Sequence, residues 1–570
     1  MIEEKIKKLI QESLKKIGIE SAEVVLEHPA EITNGDFSTN IALALAKSLK
    51  MKPRELAGKI LVELEKSKPR DFERLEIAGP GFINFYLAKT FFTENVATVL
   101  KEGGNFGKNS TRKGEKIIVE YTNTNLFKEL HIGHMMSNNI GESLSRIWEF
   151  QAAEVKRDTY QGDVGLHVAK AIFGMQKLVS EMPKESASLH EKIVFLGKAY
   201  AAGSVAYDED KTSEARIKEL NKIIFEKSDS EINQLYAWGR EVSLAHFEIL
   251  YKKLDTKFDY YFFETEVAEK ALAIVTDNLK TGIFEKSDGA VVFKGEQYGL
   301  HTRVFINSMG LPTYEAKDIG LAFVKYEKYP FDRAVIITAN EQNDYFKVVL
   351  KALSLIDAKL AGKIKHLSHG MLKLSTGKMS SRTGNVITGE ALIDSVEAMV
   401  HKKIEDRELE TFERNKIAEA VAIGAIKYSI LRQAIGGDII FDFDKSISFE
   451  GDSGPYLQYS FVRANSILAK AAAEKILPDF KHVPDEIFLI ERMLTRFPEV
   501  VVRAGADFAP HLIATYLIEL SSSFNSYYAQ NQIVNSGDPT SSYKVALTSA
   551  FAQVMKNGLW LLGIPVPSKM

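Results

Sequence analysis

The chain has 570 residues, 45% of them hydrophobic and 26% charged, with 73 Lys plus Arg against 76 Asp plus Glu and no cysteine. That length implies about three to five domains at ~100–200 residues each, and the composition excludes a disordered or collagen-like chain. A net charge of −3 gives no global basic field for nucleic acid, and the lack of cysteine excludes disulfides, thiol nucleophiles and Cys-ligated zinc or iron–sulfur sites, which suits a reducing compartment.

The first residues place Ile2, Ile6, Leu9, Ile10, Leu14 and Ile17 at helical spacing and stop at Gly18. With Glu3, Glu4 and Glu12 among them, they read as the first helix of a folded domain, not as a signal or transit segment. No window approaches ~18 consecutive apolar residues, so a soluble, cytoplasmic protein without a membrane partner is expected. A strand-like AEVVLEH follows, then the turn-rich NGDFST, an apolar helix through Leu43 and Leu45, and the strand pattern IAGPGFINFYL ending at Leu87. These predict an α+β module over 1–107, with the Gly- and Asn-rich Gly103–Gly114 as a linker.

From residue 108 the pattern changes. Ile117–Tyr121 is a short buried-strand run, a polar loop leads to His131-Ile132-Gly133-His134, and a helix runs through Ile140, Leu144 and Ile147. That is the strand–loop–helix opening of an α/β nucleotide-binding domain, predicted over 108–390 with a mainly helical insertion near 173–298. Strand signals return at Arg303–Ser308 and Ala334–Ala339, before the loop Leu374–Asn385. A helical connector is expected over 391–451 and an all-helical domain over 452–570.

Two motifs carry chemistry. A helix opening after a buried strand offers free N–H groups and a favourable dipole to phosphate, and His131 and His134 can donate to a triphosphate as its charge shifts. Gly133 leaves room for a base against the backbone. Downstream, Gly377–Gly384 is a glycine-bracketed basic loop carrying Lys378, Met379 and Ser380. Either motif alone also fits a solvated turn or a surface histidine pair; the two in this order are more specific.

HIGH followed by a KMSKS-like loop resembles a class I aminoacyl-tRNA synthetase, and longer stretches are similar to the arginyl-tRNA synthetase family. VEYTNTNLFKELHIGH (Val119–His134) resembles VE-x₄-N-x₂-K-x₂-H-x-GH, and GLPTYEAKDIG (Gly310–Gly320) resembles G-x-PTY-x₃-D-I. Phe441–Leu468 is similar to the entry of the anticodon-binding domain, GLWLLGIPVPSKM to the C-terminus with Met570, and NGDFSTNIALALAK with GPGFINFYL to the N-terminal tRNA-binding module. The chain departs from the family at Glu129 for a proline, at Asn123-Thr124-Asn125 for SPN, at Asp163-Val164-Gly165 for the GDWG segment and at Ser381 for the second lysine of KMSKS. Lys128 occupies the position thought to compensate for that lysine.

The resemblance implies an arginine–tRNA ligase that forms arginyl-adenylate from arginine and ATP, then esterifies tRNA(Arg). The alternative is a weak or silent tRNA-binding paralogue. It implies His131, His134, Lys128 and Lys378 as catalytic groups, and Gly133, Met379 and Ser380 with them around ATP. Glu120, Asn125, Tyr314, Asp318 and Gln342 match arginine-binding positions, and a guanidinium does want carboxylates in fork geometry. Mg²⁺ is expected to arrive with ATP, with no dedicated metal site, no zinc and no prosthetic group. Tyr456, Tyr459, Arg463, Tyr527, Tyr528 and Met570 are candidates for tRNA, because single-stranded bases stack on aromatic rings. A monomer is expected.

Overall fold

The computed structural model describes residues 2–20, 22–375, 388–567 and 569–570. At the N-terminal end, helices Ile2–Lys16 and Pro53–Lys66 cover an antiparallel sheet ordered Phe37–Thr39, Phe82–Leu87, Phe72–Ala78. Ile6, Ile10 and Leu14 repeat at helical spacing and pack with Leu56, Ile60, Ile83 and Phe85 into a core that closes at Phe92. AEVVLEH forms no strand. It makes one bridge, Glu27 to Ser38, and Pro29 beyond it has no N–H to continue a ladder.

The expected linker is packed in place. Phe106 is buried and stacks on Phe497 with centroids 6.2 Å apart, and Asn557 Nδ2 donates to the carbonyls of Gly103 and Phe106, each at 3.1 Å. Gly107, at φ +90°, sits where a Cβ would come within 2.6 Å of the Phe497 ring, so this glycine serves close approach rather than flexibility.

A five-stranded parallel sheet follows, in spatial order Ile364–His369, Arg333–Ala339, Lys116–Glu120, Glu154–Gln161, Tyr260–Phe263. In chain order that is 5-4-1-2-3, the doubly wound arrangement. Both faces are covered: Ile117 and Val119 point into one core and Ile118 into another, which is why the strand reads as an unbroken apolar run.

The helical insertion is shorter than expected. Helices Leu189–Glu209, Lys211–Glu226 and Ser230–Lys253 make the excursion, and the chain is back in the parallel sheet at Tyr260–Phe263. Arg303–Ile306 pairs in a separate antiparallel sheet with Glu285–Ser287 and Ala290–Phe293, not with the parallel strands. Within the connector, Ile439–Phe441 pairs in parallel with Leu372–Leu374.

Helix Ile132–Phe150 is the spine. Sixteen of its nineteen residues are buried, and one continuous core runs from Ile117 and Trp148 through Phe497 to Leu559 in the C-terminal helices. Those helices are Gly454–Ala473, Leu489–Ala506, Pro510–Gln530 and Ser541–Leu561. Among the described residues no helix is long and apolar enough to cross a membrane.

Candidate active site

The sheet reverses direction of winding between Lys116–Glu120 and Arg333–Ala339, and a doubly wound sheet opens its crevice at the carboxyl ends of the strands flanking that point. A cleft of about 540 Å³ lies there, lined by Glu120 at the end of one strand, Thr338 and Ala339 at the end of the other, and the start of helix Ile132–Phe150.

That helix start is capped by its own histidines. His131 is the N-cap: its Nδ1 accepts from the Gly133 N–H at 3.1 Å, and His134 Nδ1 accepts from the His131 N–H at 3.3 Å. The rings lie 3.9 Å apart. An Nδ1 that accepts carries no proton, so each neutral ring presents an Nε2–H donor. Burial pushes both imidazoles below their ordinary range, with the Lys128 charge adding at His131 and the neighbouring His131 adding at His134. A Cβ on Gly133 would sit 2.9 Å from the His131 ring, so the glycine keeps room for the imidazole itself. A helix N-terminus flanked by two N–H donors is fitted to receive a polyphosphate.

The opposite wall is acidic. Glu120, Glu264, Glu315, Asp318 and Glu341 line the cleft, against Arg303, whose Nη1 is held 3.0 Å from Glu315. Asp318 accepts from the Tyr345 hydroxyl; burial pushes its carboxyl up to about 7, Tyr345 opposing and Glu120 and Glu264 adding repulsion. Glu264, buried at the start of its helix, is ion-paired with Lys317. Excess carboxylate in a cleft of this size favours a cationic ligand.

All five expected arginine-contacting residues, Glu120, Asn125, Tyr314, Asp318 and Gln342, line this one cleft. Asn125 is bridged to Gly162, where a Cβ would come within 2.3 Å of the Asn125 side-chain oxygen. Tyr314 stands exposed at the mouth, one helical turn before Asp318. Glu120 differs from expectation in being engaged already: its carboxylate pairs with Lys325 and accepts from Asn123 Nδ2 at 2.5 Å. Lys128 is outside the cleft lining, its ammonium 4.8 Å from the Tyr200 ring centre on the helical insertion. Asn123, Asp158, Glu264, Lys317, Lys325 and Tyr345 were missed from sequence. Lys325 and Lys317 share a helix with Asp318, but only strand register shows what they meet.

Lys378, Met379, Ser380 and Ser381 lie outside the described residues. The chain leaves those residues at Ser375, just after Leu372 on the cleft wall, and re-enters at Thr388, which bridges to His131, while the Gly389 N–H donates to the Leu130 carbonyl at 2.7 Å. Among the described residues no group of three or more His, Asp or Glu side chains is placed to hold a metal ion.

On the C-terminal helices, Arg463 stacks 4.7 Å from the Tyr459 ring centre and 5.7 Å from that of Tyr528, and donates to Asn525 at 2.6 Å, which donates in turn to the Tyr456 hydroxyl at 2.9 Å. Tyr528 is 43% exposed; Tyr527, one position earlier, is 5% exposed with its ring against Phe488, so it belongs to the core and is closed to a nucleotide. Met570 packs half-buried at the edge of the central core.

Comparison with known proteins matches three stretches of the chain. The model described as tRNA synthetases class I (R), catalytic domain, matches residues 95–443; the arginyl tRNA synthetase N-terminal domain matches 4–87 and the DALR anticodon-binding domain 457–570. The chain is 30% identical over 575 residues to the arginine–tRNA ligase of Clostridium perfringens, covering 99% of this chain and 100% of that one. It is 31% identical over 560 residues to the Fusobacterium nucleatum ligase, covering 95% of each. The fold matches the solved Thermus thermophilus arginyl-tRNA synthetase with a TM-score of 0.81 at 23% identity, over 100% of both chains. It matches the Plasmodium falciparum arginyl-tRNA synthetase at 0.80 and 20%, over 100% of this chain and 99% of that one. An acid-lined cleft beside a histidine-capped helix, on a chain matched from end to end by these domains, places it in the arginyl-tRNA synthetase family, the class I ligases that join arginine to its tRNA.

Proposed function

We propose that the cleft binds arginine against its acidic wall and ATP against the histidine-capped helix, so that the substrate carboxylate attacks the α-phosphate in line and pyrophosphate leaves. The convergence of five carboxylates on one side of the switch point, with a helix N-terminus on the other, carries this reading. No enzyme nucleophile is needed: the work is positioning and charge stabilisation. His131 and His134 donate to the triphosphate, Lys128 and Lys378 supply cations, and Gly133, Met379 and Ser380 flank the nucleotide. Mg²⁺ comes with ATP and neutralises phosphate charge, with neither zinc nor a prosthetic group involved. Asp318, Glu120 and Tyr314 read the guanidinium, while Asn125 and Gln342 hold the amino acid's own amino and carboxylate groups. Lysine, a point charge, leaves part of that planar arrangement unpaired and is rejected.

The arginyl group then passes to the terminal ribose of tRNA(Arg). For the tRNA we assign residues 1–107 as a binding module, 108–390 as the catalytic domain, 391–451 as a connector and 452–570 as the anticodon-binding domain. Tyr456, Tyr459, Arg463 and Tyr528 form its stacking surface, with Met570 at the edge. The enzyme acts as a cytoplasmic monomer.

Amino-acid-dependent ATP–pyrophosphate exchange, run with and without tRNA, tests the assignment. Arginine alone is expected to support exchange, and with tRNA present; equal exchange with lysine or leucine would sink it. In the same assay Asp318→Asn is expected to lower kcat/KM for arginine by at least ~2 kcal/mol with the ATP KM unchanged, the scale for stripping a buried charged hydrogen bond. A change confined to the ATP KM would remove Asp318 from the arginine site. Lys128→Ala is expected to lower kcat by about 10²-fold, roughly 2.7 kcal/mol, with the arginine KM little changed. Near-normal exchange would return Lys128 to the surface as a partner of Tyr200 alone.

A further inference from the structure

Strand register sets two acids side by side. Glu120 and Asp158 are direct partners in the parallel ladder between Lys116–Glu120 and Glu154–Gln161, so both side chains leave the sheet on the same face. Both are buried, at 3% and 0% exposure. Like charges paired across neighbouring strands repel, and in a dry environment one of the two would keep its proton.

Lys325 stands between them. Its side chain is buried, and its ammonium is ion-paired with Glu120 and lies 2.5 Å from Asp158 Oδ2. Glu120 has a second partner in Asn123, whereas Asp158 has no hydrogen-bond partner besides this ion pair among the described residues. Burial pushes the Asp158 carboxyl up, against the pull of Lys325 and with the help of Glu120, so Asp158 is the member of the pair that takes up a proton first.

Lys325 stands on helix Tyr314–Lys328, two turns beyond Asp318 and three beyond Tyr314, and therefore on the same face. A small cavity of about 30 Å³ touches Glu120, Asp318 and Lys325 together, directly behind the acidic wall of the cleft. One ammonium between two carboxylates leaves one negative charge over, and Glu120 is the carboxylate of the pair that reaches the cleft.

Resting on the reading of the cleft as the arginine site, we propose that Lys325 is the positioning residue that holds the Glu120 carboxylate in place for the substrate guanidinium, tying it to Asp158 beside it. The ammonium does not touch the substrate. It sets the position of the acid that does.

The test is arginine-dependent pyrophosphate exchange by full-length Lys325→Met and Lys325→Gln at pH 7, with melting curves to confirm folding. Lys325→Gln is neutral and one atom shorter, so it no longer holds both acids, and it carries the test if the methionine variant does not fold. At pH 7 the arginine KM is expected to rise at least about tenfold, with kcat and the ATP KM within about threefold. Adding Asp158→Asn, whose amide can donate to Glu120 in place of the ammonium, is expected to bring the KM back to within about threefold of wild type. An unchanged arginine KM, or a fall in kcat alone, would overturn the role of Lys325. Asp318→Asn, run alongside, separates the two claims: if it raises the arginine KM and Lys325→Gln does not, Lys325 fails and the site stands. If neither moves the arginine KM, the reading of the cleft fails with it.

Discussion

Everything around the active site depends on a helix with no solvent face. Ile132–Phe150 begins in the cleft and is buried for most of its length, so its polar side chains must find partners inside the protein. Glu142 takes Arg146 at 2.7 Å and Arg157 at 3.1 Å, and the Tyr121 hydroxyl donates to it at 2.7 Å. Ser143 donates to the Leu561 carbonyl at 2.8 Å, Arg146 to that of Trp560 at 3.0 Å and Trp148 Nε1 to that of Gly505 at 3.0 Å. These bonds run from the catalytic helix into the C-terminal bundle. The histidine cap and the anticodon-binding helices are thus joined through one rigid element about 28 Å long, at 1.5 Å per residue, and the two ends of a tRNA would meet a fixed span rather than two loosely tethered bodies.

The acidic wall poses a different problem, because carboxylates held out of water are costly unless paired. The chain solves it with one helix. Tyr314–Lys328 carries Tyr314 and Asp318 on its cleft side, pairs Glu264 through Lys317, and reaches under the strand ends with Lys325 to hold Glu120 and Asp158. Asp318 is left with a neutral donor, Tyr345, as its hydrogen-bond partner. Its carboxyl is pushed up to about 7, and a cation beside it favours the charged form.

Much of this is legible in the sequence. The apolar run Ile117–Val119 and the histidines at the next helix start announce an α/β nucleotide-binding domain, and Glu120, Asn125, Tyr314, Asp318 and Gln342, scattered over more than two hundred residues, do meet in one cleft. They meet because the winding reversal brings strand ends together, which motif order anticipates. Pairings across strands were not legible: that Asp158 stands beside Glu120 depends on register, and Lys325 is an ordinary helical lysine until that register is known. Adjacent residues on one helix also defeated the reading, since Tyr527 and Tyr528 differ only in which side of the helix they occupy. Gly103–Gly114 looked like a linker because glycine signals flexibility and close packing alike, and here Phe497 decides for packing. Lys128 is placed near the phosphates by the family resemblance, while its ammonium lies over Tyr200, some seventy residues downstream.

The proposal that Asp318 receives the arginine guanidinium predicts that binding displaces a proton from its carboxyl. Isothermal titration of arginine into the full-length protein, repeated at pH 6, 7 and 8.5 in buffers of differing ionisation enthalpy, reads that proton directly. Because the carboxyl sits near 7 before binding and a guanidinium beside it favours the charged form, binding should release close to one proton at pH 6, about half a proton at pH 7 and almost none at pH 8.5. Asp318→Asn should abolish the pH 6 release. Binding without proton release at any of the three pH values, or release that survives in Asp318→Asn, would contradict the account.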